Sequence, residues 1–189
     1  MDVITGTEKF VQDMFPELVD DKYSNLPKEL KFIHAEEILD MYPDLPRKQR
    51  ETRLLQEVYP AVFIMGIGWS LKDGYPHEMR AADYDDWITE TITKNGETFH
   101  GLNGDILVWN QVTQRQHELT SMGIRVTPET LKKQLEMSGQ LEFLNYPYHQ
   151  MILNHEMPLS IGGGIGRSRT YMLLLRKAHL GEVSVHCLA

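Results

Sequence analysis

Residues 101–126 have the sequence GLNGDILVWNQVTQRQHELTSMGIRV, in which two strand-like segments flank a short polar stretch. The first segment, residues 104–110, follows a Gly-Leu-Asn turn, and the second covers residues 116–122. The connection between them, with a largely polar tip at residues 112–115, is far shorter than the dozen or so residues that a parallel crossover needs. The spacing therefore predicts an antiparallel hairpin.

The rest of the chain mixes helices with further strands. Apolar spacing predicts a first helix capped by Thr7, a strand at residues 30–34, helices at 35–41 and 47–58, and a buried strand at 61–65. After the hairpin, Thr127 and Pro128 predict the start of a helix that Gly139 ends. We therefore expect an α+β fold of one domain, residues 1–189, which suits a chain of this length.

Composition narrows the classes of protein. The net charge of −8 argues against a broad nucleic-acid surface, which normally needs a basic face. The apolar runs are much shorter than the roughly 20 residues that span a bilayer. Cys187 is the one cysteine, so neither an internal disulfide nor a cysteine zinc site is possible. A reducing cytoplasm is the expected location.

A glycine-rich stretch, residues 161–166, leads into an apolar helix at the end of the chain. Glycine lets a backbone approach a ligand closely, but it also permits a tight turn that packs a strand on a helix. The stretch matches neither a dinucleotide-binding glycine pattern nor a phosphate-binding loop with Gly-Lys-Ser/Thr. Arg169, three residues beyond the last glycine, favours phosphate binding; a solvated arginine at a helix start is the alternative.

Two lone acids, Asp105 and Glu118, lie in the two segments of the hairpin. Carboxylates on neighbouring strands can share a magnesium ion that bridges nucleotide phosphates, although either acid alone would more often be an edge carboxylate.

A third candidate is the loop of residues 80–87, RAADYDDW, which could bind an amino group through its acids and a carboxylate through its arginine. A solvated acidic loop explains that composition equally well.

Five of these stretches occur in a fixed order: residues 63–68, 80–87, 101–110, 118–126 and 161–169. Together they resemble the ammonia-dependent asparagine synthetase family, and the likeness runs from about residue 32 to 181. The resemblance implies an antiparallel sheet flanked by helices, as in the catalytic core of class II aminoacyl-tRNA synthetases. It also implies an N-terminally incomplete core, because family members carry a long preceding region with the first two class II motifs.

The resemblance also assigns roles to individual residues. Arg169 corresponds to the arginine of the third class II motif, which holds ATP, and it forms the catalytic pair with Asp85. The other ATP-binding positions, of which the two acids also bind magnesium, are Asp105, Glu118 and Leu119. The positions that line the amino-acid pocket, with the glycines on its floor, are Arg80, Asp85, Ser121, Gly162 and Gly163.

The activity implied is an ATP-dependent aspartate–ammonia ligase that forms asparagine, AMP and pyrophosphate through β-aspartyl-AMP. The implied ligands are aspartate, ammonia, ATP and magnesium, with neither nucleic acid nor membrane, and the full-length family form implies a homodimer. Two other interpretations stay open. One is a non-catalytic ATP- or amino-acid-binding module, or one half of a split enzyme. The other is a tRNA synthetase relative, which the acidic charge disfavours.

Overall fold

The computed structural model describes residues 1–18, 22–92 and 96–184. The helices within these ranges are α1 (Asp2–Met14), α2 (Ala35–Met41), α3 (Arg47–Glu57), α4 (Pro128–Met137), α5 (Pro147–Leu153) and α6 (Arg167–Leu174). The strands are β1 (Lys31–His34), β2 (Ala61–Met65), β3 (Glu90–Ile92), β4 (Thr98–His100), β5 (Asn103–Asn110), β6 (Arg115–Glu118), β7 (Thr120–Ile124) and β8 (Ile161–Ile165). Short 3-10 helices span Pro16–Leu18, Leu141–Asn145 and Leu180–Glu182. Cys187 lies outside the described residues.

The described strands form one large sheet and a small hairpin. The large sheet has the order β1-β2-β5-β7-β8, with β6 paired to β5, while β3 and β4 pair separately. β1 runs parallel to β2, because α2 and α3 form the crossover between them, and every other pair is antiparallel. The prediction of an antiparallel sheet flanked by helices is confirmed, except that β1 is a parallel strand at one edge.

The predicted hairpin is present, but its second strand is divided at Leu119 by a β-bulge. Gly104 of β5 pairs with Met122, and Leu107 pairs with Glu118. The interval of three residues between the two β5 positions therefore lies opposite an interval of four residues on the other segment. Side chains alternate between sheet faces, so the extra residue places Glu118 on the face that carries Leu107 and Asp105. The bulge therefore brings the two acids predicted from the sequence to the same face.

Helices cover the sheet on both faces. On the face of Ile64 and Leu107, α2 and α3 contribute Ile38, Leu54 and Leu55 to a buried cluster. On the other face, a second cluster joins Ile4 of α1 and Leu173 of α6 to Ile106 and Val108. A third cluster packs Trp87 against Leu131 and Leu135 of α4. The first face keeps a groove open beside α3, and this groove holds the candidate site.

The helix predictions hold with one correction. Thr127 caps α4 by accepting a hydrogen bond from the Thr130 backbone N–H at 3.2 Å, and Gly139 follows the helix with φ +68°, as predicted. Thr7 is not an N-cap, because α1 begins at Asp2 and the Thr7 hydroxyl donates to the Val3 carbonyl at 2.7 Å inside the helix. This helix therefore starts without a cap from Thr7, and its stability comes from its packing.

The two ends of the described chain meet in a buried ion pair. Arg176 Nη2 donates to Glu8 Oε1 at 2.8 Å, and both side chains are at most 5% exposed. The second oxygen of Glu8 accepts from the Leu26 backbone N–H at 2.9 Å, so this buried carboxylate is fully engaged.

Across residues 1–18, 22–92 and 96–184, no helix combines the length and apolar character needed to cross a membrane.

Candidate active site

The groove on the α3 face consists of two adjoining cavities. The larger, of about 490 Å³, lies between α3, the β5–β6 hairpin and α6. The smaller, of about 360 Å³, lies between the loop of residues 80–85 and the glycines of β8. Arg80, which lines the smaller cavity, donates a hydrogen bond to Asp105 in the wall of the larger, so the two cavities adjoin at this pair.

At one end of the groove, Asp85 and Arg125 form an ion pair through Oδ1 and Nη1. Their backbones also pair in an isolated β-bridge, and the Tyr84 ring lies 3.8 Å from the Arg125 guanidinium carbon. Asp85 is a predicted pocket residue, whereas no role was predicted for Arg125 or Tyr84. The available signal was a charged residue directly after a strand, in the stretch GIRV, where side chains often enter a site.

Arg80 joins this end of the groove to its centre. Nη1 donates to Ser121 Oγ at 2.8 Å, and Nη2 donates to Asp105 Oδ2 at 2.5 Å. A planar guanidinium offers a fork of donors that can bind two partners at once. The structure thus brings together Arg80, Asp85 and Ser121, the polar side chains predicted to line an amino-acid pocket.

The three glycines of β8 differ in the space that a side chain would have at each position. A Cβ on Gly162 would lie 2.4 Å from Arg125 Nη2, so a side chain at this position would displace that guanidinium. A Cβ on Gly164 would have nothing within 4 Å, because it would enter the open groove. A Cβ on Gly163 would meet Met122 Cβ at 2.6 Å on the opposite face of the sheet. Gly162 therefore supports Arg125, while Gly163 lines the cavity through its backbone.

At the other end, Arg169 from α6 binds Glu118. Arg169 Nη1 donates to Glu118 Oε1 at 2.9 Å, and the Arg169 carbonyl lies 2.9 Å from His117 Nε2. The guanidinium is about half exposed, so further donors remain available to a ligand. Leu119 differs from these residues, because its side chain is 1% exposed in the core. That side chain packs with Ile106 and Val108 on the opposite face of the sheet, and Leu119 lines only a neighbouring cavity beside Glu118 and Arg169.

Three carboxylates converge at the centre of the larger cavity. Glu78, Asp105 and Glu118 each place one oxygen within 4.8 Å of the other two. The sequence prediction included Asp105 and Glu118 but missed Glu78. Glu78 lies in a loop without strand or helix periodicity, where one exposed acid gives no local signal of its partners.

These residues fit a hard divalent cation. Carboxylate oxygens are the protein ligands that Mg²⁺ prefers, and Asp105 Oδ1 is buried without a hydrogen-bond partner among the described residues. Burial raises the pKa of Asp105, against the opposing effect of Arg80. Burial also raises the pKa of Glu118, and the neighbouring charge of Asp105 raises that pKa further. A bound cation would relieve both costs by adding positive charge where the carboxylates are desolvated.

Solved structures share this fold at low sequence identity. Over 97% of the chain, the asparaginyl-tRNA synthetase of Entamoeba histolytica in complex with asparaginyl-adenylate matches with a TM-score of 0.64 and 16% identity. The asparaginyl-tRNA synthetase of Pyrococcus horikoshii matches with a TM-score of 0.65 and 14% identity, and the aspartyl-tRNA synthetase of E. histolytica with 0.63 and 18%. The chain spans 41%, 43% and 38% of these three proteins, respectively.

A protein-family model also matches the sequence. The model describes aspartate-ammonia ligase, and the matched residues are 1–188. The match extends beyond both ends of the range that the five motifs indicate, residues 32–181, and includes α1. The class II synthetase-like fold expected from the motifs is thus supported by the solved structures, and the family expected from them by the sequence match.

Proposed function

Because this chain belongs to the aspartate–ammonia ligase family, we propose that it amidates aspartate with ammonia at the expense of ATP. One observation supports this most. One end of the groove holds an acid–arginine pair suited to an α-amino acid. The other end holds a cluster of acids and arginines suited to a metal-bound polyphosphate, and Arg80 links the two ends. The reacting carboxylate and the α-phosphate would meet beside Arg80.

In the first step, the groove residues hold the two reactants in contact. Asp85 accepts hydrogen bonds from the α-ammonium group of aspartate, and Arg125 donates to its α-carboxylate. Arg80 orients the side-chain carboxylate, whose oxygen attacks the α-phosphorus of ATP; the bond from that phosphorus to the bridging oxygen breaks and pyrophosphate leaves. Arg169 neutralises charge on the phosphates. Positioning and charge stabilisation suffice, because the nucleophile comes from the substrate.

In the second step, ammonia attacks the acyl carbon of β-aspartyl-AMP. The bond from that carbon to the AMP oxygen breaks, AMP leaves, and the nitrogen loses one proton to give the amide. Asp105 and Glu118 are the residues that would hold magnesium, which supplies positive charge to the phosphates when bound. We place this reaction in the cytoplasm, in agreement with the single cysteine and the acidic charge.

A second candidate function is one half of a two-part active site, or a ligand-binding module without turnover. The observation that favours it is an apolar cavity of about 1100 Å³ on the opposite face, lined by Phe63, Met65, Met122 and Ile161. Ile161 is 79% exposed, and the outer edge of β8 has no partner strand among the described residues. Exposed apolar surface beside an open edge suits a further polypeptide, such as a second subunit.

The decisive assay separates these functions by their products. The purified chain would be incubated with aspartate, ¹⁵N-labelled ammonium, ATP and magnesium, with Asp85→Asn as the inactive comparison. Formation of ¹⁵N-asparagine with equal AMP supports the ligase, whereas ADP and phosphate contradict it. Saturable binding of ATP and aspartate without turnover supports the second candidate. Turnover that appears only when the N-terminal part of a related enzyme is added identifies a two-part site.

A further inference from the structure

Each of the three converging carboxylates in the groove has its own arginine. Arg80 binds Asp105 at 2.5 Å, Arg169 binds Glu118 at 2.9 Å, and Arg47 binds Glu78 at 2.7 Å. The three arginines come from different parts of the chain: a loop, the first turn of α6 and the start of α3. Glu78 therefore resembles the two acids that the sequence singles out in having an arginine partner, although its side chain is more exposed than theirs.

The position of Glu78 is held by buried neighbours rather than by chance contact at the surface. His77, the preceding residue, is 3% exposed, and its Nε2 lies 3.0 Å from Glu51 Oε1 of α3. Arg47 lies 3.8 Å from the same Glu51 oxygen, so one buried carboxylate anchors both neighbours of Glu78. A carboxylate fixed on both sides can present an oxygen to a ligand without a large loss of side-chain entropy.

We propose that Glu78 supplies the third carboxylate oxygen of the divalent-cation site, beside Asp105 and Glu118. This inference rests on the cation site of the proposed function and assigns a residue to it. Arg47 offsets the charge of Glu78 from outside the cluster while the second oxygen of Glu78 remains available. The three oxygens lie close enough for one ion of six oxygen ligands, with water or phosphate oxygens completing its shell.

Two orphaned polar atoms, one on Asp105 and one outside the three carboxylates on His77, point to a polar occupant of this cavity. Asp105 Oδ1 and His77 Nδ1 are both buried, and neither has a hydrogen-bond partner among the described residues. Both residues line the larger cavity together with Glu78 and Glu118. Buried polar atoms are nearly always satisfied in folded proteins, so these two call for a ligand that offers both positive charge and hydrogen bonds. A hydrated cation meets that need.

The test measures cation binding rather than catalysis. Mn²⁺ would be titrated into the purified chain and the free ion followed by electron paramagnetic resonance, without nucleotide and again with ATP. We expect Glu78→Gln and Asp105→Asn each to weaken Mn²⁺ binding by at least about tenfold. Glu142→Gln, which changes an exposed acid outside the cavity, should stay within about twofold of the unaltered chain.

The outcomes distinguish the Glu78 assignment from the proposed function. If Asp105→Asn weakens binding and Glu78→Gln does not, the cation site stands and the assignment of Glu78 is wrong. If the unaltered chain binds no Mn²⁺ even with ATP, the cation site itself is wrong. Glu78→Asp provides a second comparison, because it keeps the charge but withdraws the oxygen by one methylene. Thermal unfolding followed by circular dichroism checks that each variant is folded.

Discussion

Arg80 Nη2 donates a hydrogen bond of 2.5 Å to Asp105 Oδ2, across the point where the two cavities of the groove meet. The Asp105 side chain is 3% exposed and that of Arg80 is 16% exposed, so the charges are mostly removed from water. Such a pair contributes little net stability, but the loss of one partner leaves a buried charge without compensation. Arg80 therefore has a task in stability that is separable from the role in catalysis that we propose for it.

Replacing Arg80 by methionine should reveal the stability task. Because Asp105 would keep its buried charge without a partner, Arg80→Met should lower the free energy of unfolding by roughly 3–5 kcal/mol. Urea denaturation at neutral pH measures this value. Arg53→Met, which breaks the exposed pair with Glu57, should cost about 1 kcal/mol or less. Adding Asp105→Asn to Arg80→Met should recover at least about half of the loss; a strictly additive double variant would contradict the coupling.

Arg169 tests the phosphate end of the groove. Arg169→Lys keeps the charge but loses the planar fork, so aspartate-dependent pyrophosphate release should fall by at least about tenfold, or roughly 1.4 kcal/mol of transition-state stabilisation. Steady-state assays in any assembly that has activity give this ratio. Arg53→Lys is the matched substitution at an exposed helix position away from the groove. Unchanged kinetics in Arg169→Lys would remove this residue from the phosphate site.

Gly162 tests the amino-acid end. The added Cβ of Gly162→Ala would lie 2.4 Å from Arg125 Nη2, so the guanidinium must move away from Asp85. The KM for aspartate should rise by at least about tenfold, with a smaller effect on the KM for ATP. Gly6→Ala in α1 is the matched control, because a Cβ there has nothing within 4 Å. Equal effects on both substrates would indicate a general disturbance of the sheet instead.

The stability of the protein should depend on the protonation of His34. Burial lowers the pKa of His34, which accepts the Glu36 backbone N–H through Nδ1 and contacts the His100 carbonyl through Nε2. The folded state therefore binds fewer protons than the unfolded state, whose His34 titrates near pH 6.5. Stability should be lost as the pH falls below that value towards the lower folded pKa.

This dependence is measurable by urea denaturation at a series of pH values between 7 and 5. His34→Asn keeps a side chain that can cap α2 but removes the titrating ring, so its free energy of unfolding should fall less steeply as the pH is lowered. His155→Asn applies the same substitution at an exposed histidine. Parallel curves for the unaltered chain and His34→Asn would show that His34 does not contribute to the pH dependence.

Local patterns predicted much of the fold because they record where apolar side chains and caps must lie. α2 has the predicted bounds, since His34 and Glu37 provide its capping interactions and the Tyr-Pro sequence follows its end. The β3–β4 hairpin was not predicted, because three-residue strands with mainly exposed side chains leave no apolar alternation. The β-bulge at Leu119 was also missed, because it is a property of pairing between strands rather than of either strand alone.

The candidate site was predictable only where a residue stood out from its neighbours. Asp105 is an acid in an apolar strand, and Arg169 follows a glycine run, so both were found. Arg47 starts a helix that is charged throughout, and Glu78 is one of several charged residues before the 80–87 loop, so neither stood out. Their relation depends on the packing of α3 beside the hairpin, which brings together residues far apart in the chain.

The Glu8–Arg176 pair has a consequence for biosynthesis. These residues are 168 positions apart, so the ribosome exposes α1 long before the guanidinium that neutralises Glu8 has been made. Until then, docking α1 onto the sheet would bury a carboxylate with no positive partner, which is costly. Released chains that end before Arg176 should therefore keep α1 undocked and open to proteolysis, whereas released chains that extend to residue 184 should protect it. A segment that is made late would thus complete the docking of one that is made early.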